Sequence, residues 1–184
     1  MNSKRLSEKA IYRRYAETEV VDLVDGKRIK KRIRKDSGPG SVTIIPIVGI
    51  NKVLLVRQYR PALRKPGNGR NNGLVYELPG GHTEDGETVQ EAARRELEEE
   101  IEYTAKEIKL LYKRYFTPWS SDALDNIFVA KGLKKGMKKL DSDEIITTVV
   151  FSAGKVARML KDGSIKDVST RDGLSYWLMF LNKQ

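Results

Sequence analysis

The stretch GHTEDGETVQEAARRELEEEIEY, Gly81 to Tyr103, constrains this chain more than any other. Gly80, Gly81 and Gly86 belong to a loop, and from about Glu87 strong helix formers run without glycine or proline, so the segment predicts a loop that feeds a helix. Ala93, Leu97 and Ile101 recur at four-residue spacing and give that helix a buried stripe. Glu96, Glu99 and Glu100 stand at i, i+3 and i+4, which brings their carboxylates to one adjoining face, within reach of a shared cation. Like charges so close repel unless something positive neutralises them. Magnesium, or manganese, suits the demand best, because hard cations take carboxylate oxygens, keep some waters and bridge to substrate phosphates. Arg95 and Glu87 are then expected to form an internal ion pair between loop and helix. The plainer alternative is a solvated, glutamate-rich helix, which runs such as ELEEEIE often are.

Charge is distributed unevenly. The whole chain carries +10, while residues 81 to 103 hold nine acids and two arginines, a balance of −7, so +10 less −7 leaves +17 on the remainder. An acidic metal pocket in a basic shell suits a polyanionic substrate bridged by cations. Nucleic acid is the other partner such a surface attracts, and a generically soluble surface is the third explanation. At 184 residues the chain is the size of one ordinary domain with a real core. It has no cysteine and a single histidine, His82, which excludes disulfides, thiolate metal sites and a histidine-rich zinc centre. No apolar run approaches a membrane span, and MNSKRLSEKAIYRR lacks the apolar core of a signal peptide, so a soluble, cytoplasmic protein is expected.

Along the chain, residues 10 to 24 and 27 to 35 read as basic, alternating strands joined at Asp25-Gly26. SVTIIPIV (41 to 48) and KVLLVRQYR (52 to 60) form a more apolar pair around Ile50-Asn51. A loop follows at 61 to 73 with Arg64, Lys65 and Arg70 upon it, and VYELPGG then delivers the glycine-rich turn. Further strands are expected at 106 to 116, in NIFVAKGL and at 144 to 151, with helices near 152 to 161 and 168 to 182. Helices flanking a mixed sheet, an α/β protein, are the result.

The pattern G-x5-E-x7-R-E-L-x-E-E, met here as Gly81, Glu87, Arg95, Glu96, Leu97, Glu99 and Glu100, resembles the box of the Nudix hydrolases. The succession SVTIIPIV, VRQYRP, ELPGG, the box, TPWSSDALDNIFVA and SIKDVSTRDGLSYWL is similar to the ADP-ribose pyrophosphatase-like branch across nearly the whole chain. That resemblance implies an α/β/α sandwich with a mixed sheet and an N-terminal β-hairpin extension. Residues 1–40 would supply strands for dimerisation and the substrate pocket, and residues 41–184 would be the Nudix domain. It implies metal ligation by Glu96, Glu99, Glu100 and the Gly80 carbonyl, and hydrolysis of a nucleoside diphosphate linked to another moiety, ADP-ribose first, to AMP and ribose 5-phosphate. Substrate contacts would come from Arg32, Arg60 and Glu77, with Tyr12 and Tyr15 for a base. Gly81, Glu87 and Arg95 would be structural, and the assembly a homodimer.

Two departures from the family pattern stand out. Its box ends on a helix-capping glycine where this chain has Glu102, which is expected to alter the helix exit more than the metal site. In the loop after Pro118 the family carries P-G-F-S-x-E, whose glutamate positions or deprotonates the water; here Ala123 holds that place. Asp122, Asp125 or a box glutamate, Glu99 or Glu100, would then serve as the base. Trp119, standing for a glycine, would narrow the pocket, offer a stacking face or pack. Ala123, the basic excess and the 61 to 73 loop keep a second class open, a catalytically weak module that binds nucleotide or RNA. Within the enzyme class another nucleotide sugar, a nucleoside triphosphate, NADH or capped RNA remain alternatives, because the box reads the pyrophosphate and not what hangs from it.

Overall fold

The computed structural model describes residues 15–24, 27–36, 38–60, 63, 73–136 and 146–181, with residues 15–36 described at the level of backbone pairing. The N-terminal strands β1 (Tyr15–Val24) and β2 (Lys27–Asp36) pair antiparallel, Tyr15 opposite Asp36 and Val24 opposite Lys27, as a two-stranded ribbon of their own. The Asp25-Gly26 turn lies outside the described residues.

The body is built from β3 (Ser41–Pro46), β4 (Lys52–Tyr59), β5 (Leu74–Glu77), β6 (Gly80–His82), β7 (Tyr103–Tyr115), β8 (Leu124–Lys135) and β9 (Ile146–Ser152). They form two sheets, ordered β6-β3-β8-β7 and β5-β4-β9. β3 and β8 run parallel and the other neighbours antiparallel, which gives the mixed arrangement expected. One expectation changes here. The apolar runs 41 to 48 and 52 to 60 do not pair along their length: they separate into different sheets and meet at one bridge, Ile47 to Val53. Asn51 takes a left-handed φ of 55° in the turn between them, a conformation asparagine tolerates.

Alternation along the strands sorts the core into two layers. Val42, Ile44, Leu54, Val56, Phe128 and Ala130 point one way, onto Ala92, Ala93, Leu97 and Ile101 of α1 (Val89–Ile101). Ile45, Val53, Leu55 and Ile127 point the other way, onto Val156 and Met159 of α2 (Ala153–Lys161) and Leu174 of α3 (Val168–Tyr176). Strands buried on both faces and helices on either side make an α/β/α sandwich. A π-helical turn, Trp177–Leu181, continues α3 and buries Trp177 in the second layer.

Candidate active site

β3 is the hinge of the site. On one side it pairs with β6, Val42 opposite Gly81 and Thr43 opposite Gly80, and on the other with β8. At Gly80 an added Cβ would stand 2.1 Å from the Val42 carbonyl oxygen, so only glycine lets these backbones approach. At Gly81 the obstacle is a side chain: a Cβ would meet Glu96 Oε1 at 2.2 Å.

Across this glycine pair lies α1, which opens on a capping box. Thr88 Oγ1 accepts from Glu91 N–H at 3.2 Å, and Glu91 Oε2 accepts from Thr88 N–H at 2.9 Å. The phase set by Ala92, Ala93, Leu97 and Ile101 drives Glu96 against the sheet, where it is 9% exposed. Four residues on, Glu100 Oε2 accepts from Gly80 N–H at 2.8 Å. Two carboxylates of one helix are thus seated against two consecutive glycines, which lie in β6 and not in the loop expected from the sequence, because they pair with β3.

Arg95 organises the rest. Its Nε and Nη2 donate to the two oxygens of Glu87 at 2.9 and 3.0 Å, the loop-to-helix ion pair that the sequence predicted. Nη1 also donates to Glu96 Oε1 and to Glu99 Oε2, each at 2.9 Å, and Nη2 to the His82 carbonyl at 2.9 Å. Bonding to Arg95 holds the Glu87 carboxyl below its usual range, and the same bond, against some burial, raises the arginine. Burial pushes Glu96 up even though Arg95 pulls it down. Among the described residues no three acidic side chains already form a ready-made cation cage. Glu96 and Glu99 converge on the guanidinium, and Glu100 turns to Gly80.

Gly80, Gly81 and His82 line a cleft of about 190 Å³, which Arg60 and Glu77 line as well. Glu77, 8% exposed, accepts from Arg60 Nη2 at 2.8 Å and from Gln58 Nε2 at 2.6 Å. Burial alone would lower the Arg60 pKa, but the bond to Glu77 and the fields of Glu77, Glu100 and Asp167 raise it. The guanidinium, 47% exposed, lines the cleft together with its partner Glu77 and a second acid, Asp167.

The remaining predicted residues are placed as follows. Asp125 is fully buried on β8; it accepts from Thr43 Oγ1 at 2.9 Å and pairs with Arg114 Nη2 at 2.9 Å. A carboxylate so enclosed and so paired is an interior anchor and not a base offered to the cleft, which corrects that expectation. Ala123 is 7% exposed, so its position presents its side chain to the interior. Asp122 is half-buried beside it, while Trp119 is 69% exposed and packs into no core. Glu102 also departs from expectation. It adopts the left-handed cap itself, φ 61° and ψ 33°, with its N–H on Glu98 O, so the helix exit is the one a glycine would make. Arg32 lies on β2 opposite Glu19, and Tyr15 begins β1; their side chains, with Tyr12 and the 61 to 73 loop apart from Leu63 and Gly73, lie outside what is described.

Sequence reasoning missed the far wall of the cleft, Phe116, Asp167 and Ser169, and the Arg114 that ties it together. The available signal was KDVSTRDG: an aspartate ahead of a helical segment is an N-cap, and an N-cap fixes where a helix end faces.

Residues 39–170 match the NUDIX domain, a span that holds the glycine pair, all of α1 and the cleft. The chain belongs to the Nudix family. Methanol dehydrogenase activator of Bacillus methanolicus is 32% identical over 158 residues, 85% of this chain and 80% of that protein. ADP-ribose pyrophosphatase of Bacillus subtilis (strain 168) is 29% identical over 160 residues, 86% of this chain and 81% of that one. The crystal structure of an ADP compounds hydrolase superposes with a TM-score of 0.76, covering 95% of this chain and 90% of the other, and at 24% identity it speaks for the fold. The Nudix assignment, in its ADP-ribose pyrophosphatase-like branch, thus accords with the box, the sandwich and the relatives, and it makes the chain a pyrophosphohydrolase.

Proposed function

We propose that the chain hydrolyses the pyrophosphate bond of a nucleoside diphosphate joined to another moiety, with ADP-ribose as substrate and AMP and ribose 5-phosphate as products. The observation that carries this reading is the seating of Glu96 and Glu100 against Gly81 and Gly80. Side chains of this kind would hold magnesium or manganese: Glu96, Glu99 and Glu100 with the Gly80 carbonyl make an all-oxygen donor set for a hard cation. A buried carboxylate that the surroundings leave only partly compensated, as Glu96 is, supports the fit. When bound, the cation supplies Lewis-acid polarisation of the phosphate and acidifies the attacking water.

The chain's own groups do the remainder. Arg95, bonded to Glu87 and to the His82 carbonyl, holds loop and helix together, and it orients Glu96 and Glu99, the carboxylates that would share in holding a cation. Glu99, whose side chain is 43% exposed against 11% for Glu96, takes the proton of the water at Oε2. Arg60, oriented by Glu77, neutralises charge that builds on the phosphoryl oxygens. One P–O bond of the bridge breaks, the water oxygen joins that phosphorus, and the other phosphate leaves with the bridging oxygen.

The substrate is tested by phosphatase-coupled phosphate release from ADP-ribose, other nucleoside diphosphate sugars, NADH and nucleoside triphosphates, with magnesium, manganese or EDTA. EDTA-sensitive preference for ADP-ribose is expected, and Glu100→Gln should lower kcat/KM at least about 100-fold, as removal of a charge-stabilising group does. Equal activity of Glu100→Gln and the parent would sink the metal assignment. The buried Ala123 favours the second reading, a weak module binding nucleotide or RNA, since this position supplies no carboxylate. Salt-sensitive RNA binding without metal-dependent turnover would decide for it. A homodimer is part of the first reading and is checked by light scattering.

A further inference from the structure

The far wall of the cleft has no role in the chemistry above, yet it is built with more care than a solvated rim needs. Phe116 follows directly on β7 and lines the cleft together with Asp167 and Ser169 at the start of α3. Behind it, the Arg114 guanidinium lies 5.1 Å from the ring centroid, within cation–π range. That guanidinium is itself fixed from three directions. Nη2 pairs with the buried Asp125 at 2.9 Å and donates to Ser169 Oγ at 2.6 Å, and Nε lies 3.4 Å from Asp172 Oδ2, which in turn accepts from Tyr112 Oη at 2.8 Å. One side of the ring is therefore backed by a charge that cannot move away, and the half-buried ring is presented to the cleft.

Its position along the sheet says what such a ring would meet. The strand order β6-β3-β8-β7 puts three strand spacings, about 14 Å, between the glycine pair and the end of β7. A pyrophosphate seated at Gly80 and Gly81 does not reach that far, whereas a ribose and its base extend from it across that distance. Resting on the function proposed above, we infer that Phe116, backed by Arg114, is the stacking face for the nucleobase of the substrate, with the Asp167 carboxylate and the Ser169 hydroxyl beside it for polar atoms of the nucleoside. A planar base suits this wall because every base has a π-face, and stacking needs no particular hydrogen-bond pattern.

The test is calorimetric titration of the full chain, in magnesium, with AMP, ribose 5-phosphate and inorganic pyrophosphate, comparing the parent with Phe116→Leu and Phe116→Tyr. Thermal unfolding of each variant confirms the fold. Phe116→Leu should weaken AMP about tenfold, the scale of one lost base–aromatic stack, and leave pyrophosphate unchanged. Phe116→Tyr, which keeps the ring, should retain AMP affinity. Unchanged AMP binding by Phe116→Leu, a loss confined to ribose 5-phosphate, or a parent that binds no AMP would each overturn the inference. Because the titration does not depend on turnover, a parent that binds AMP through Phe116 but leaves ADP-ribose intact would instead overturn the substrate assignment alone.

Discussion

At Gly81 a single methyl group decides whether the Glu96 carboxylate keeps its seat. An alanine Cβ there would stand 2.2 Å from Glu96 Oε1 and 2.6 Å from its carboxyl carbon, distances no contact tolerates. The obstacle is the far end of a flexible side chain, so the backbone need not shift and the fold should survive. The carboxylate, however, must move by about an ångström, a misplacement that costs roughly 100-fold in a positioned reaction. Gly81→Ala is therefore expected to keep its melting temperature within a few degrees while kcat/KM falls about 100-fold; retained activity would show that Glu96 does not act from its present seat. At this scale the sequence was informative where partners are close along the chain, as in the Glu87–Arg95 pair across the start of α1 and the convergence of Glu96 and Glu99 within one turn. Asp125 shows the opposite case. Its burial follows from the parallel pairing of β3 with β8, which sets it opposite Ser41 and beside Thr43, and nothing in its local sequence announces contacts some 80 residues away.

At the level of the elements, α1 ends on an unusual residue rather than an unusual geometry. Glu102 occupies the left-handed region with φ 61°, where an L side chain crowds the backbone, and its carbonyl accepts from Gly136 N–H at 2.7 Å, which fixes the exit. Glycine adopts that conformation freely but loses more entropy on folding, so the net gain is a fraction of the strain. Glu102→Gly should stabilise the chain by about 1 kcal/mol in urea unfolding, with kcat unchanged because Glu96 and Glu100 keep their phase on the helix. A loss of stability would mean that the side chain makes compensating contacts at the cap. Elements were legible in kind and order, since glycine-rich turns and apolar runs delimit them. Sheet membership was not: β3 and the apolar centre of β4 are buried on both faces, so neither has the alternation that would have told one sheet from the other.

Across the whole molecule the decisive quantity is the separation of charge. The acidic segment 81 to 103 supplies the site, and the +17 left over from the total of +10 sits elsewhere, in part as the exposed Lys106, Lys109, Lys113, Lys134 and Lys135 of β7 and β8. The sandwich itself could be foreseen from helices flanking apolar strands, whereas the field at the cleft could not, because it depends on where folding places each charge relative to Glu96 and Glu100. If the basic shell draws a dianionic substrate toward the cation site, its effect belongs to encounter and not to the chemical step. Screening then separates the two. The Debye length shrinks from about 10 Å near 0.1 M salt to about 3 Å near 1 M, so long-range attraction fades while the short Arg95 and Arg60 contacts inside the site persist. Steady-state rates for ADP-ribose at fixed magnesium should show kcat/KM falling about tenfold from roughly 0.05 to 0.5 M sodium chloride, carried by KM, with kcat nearly constant. A flat profile would assign the excess charge to solubility, and a kcat that falls in step with kcat/KM would place the salt effect on the cation site itself.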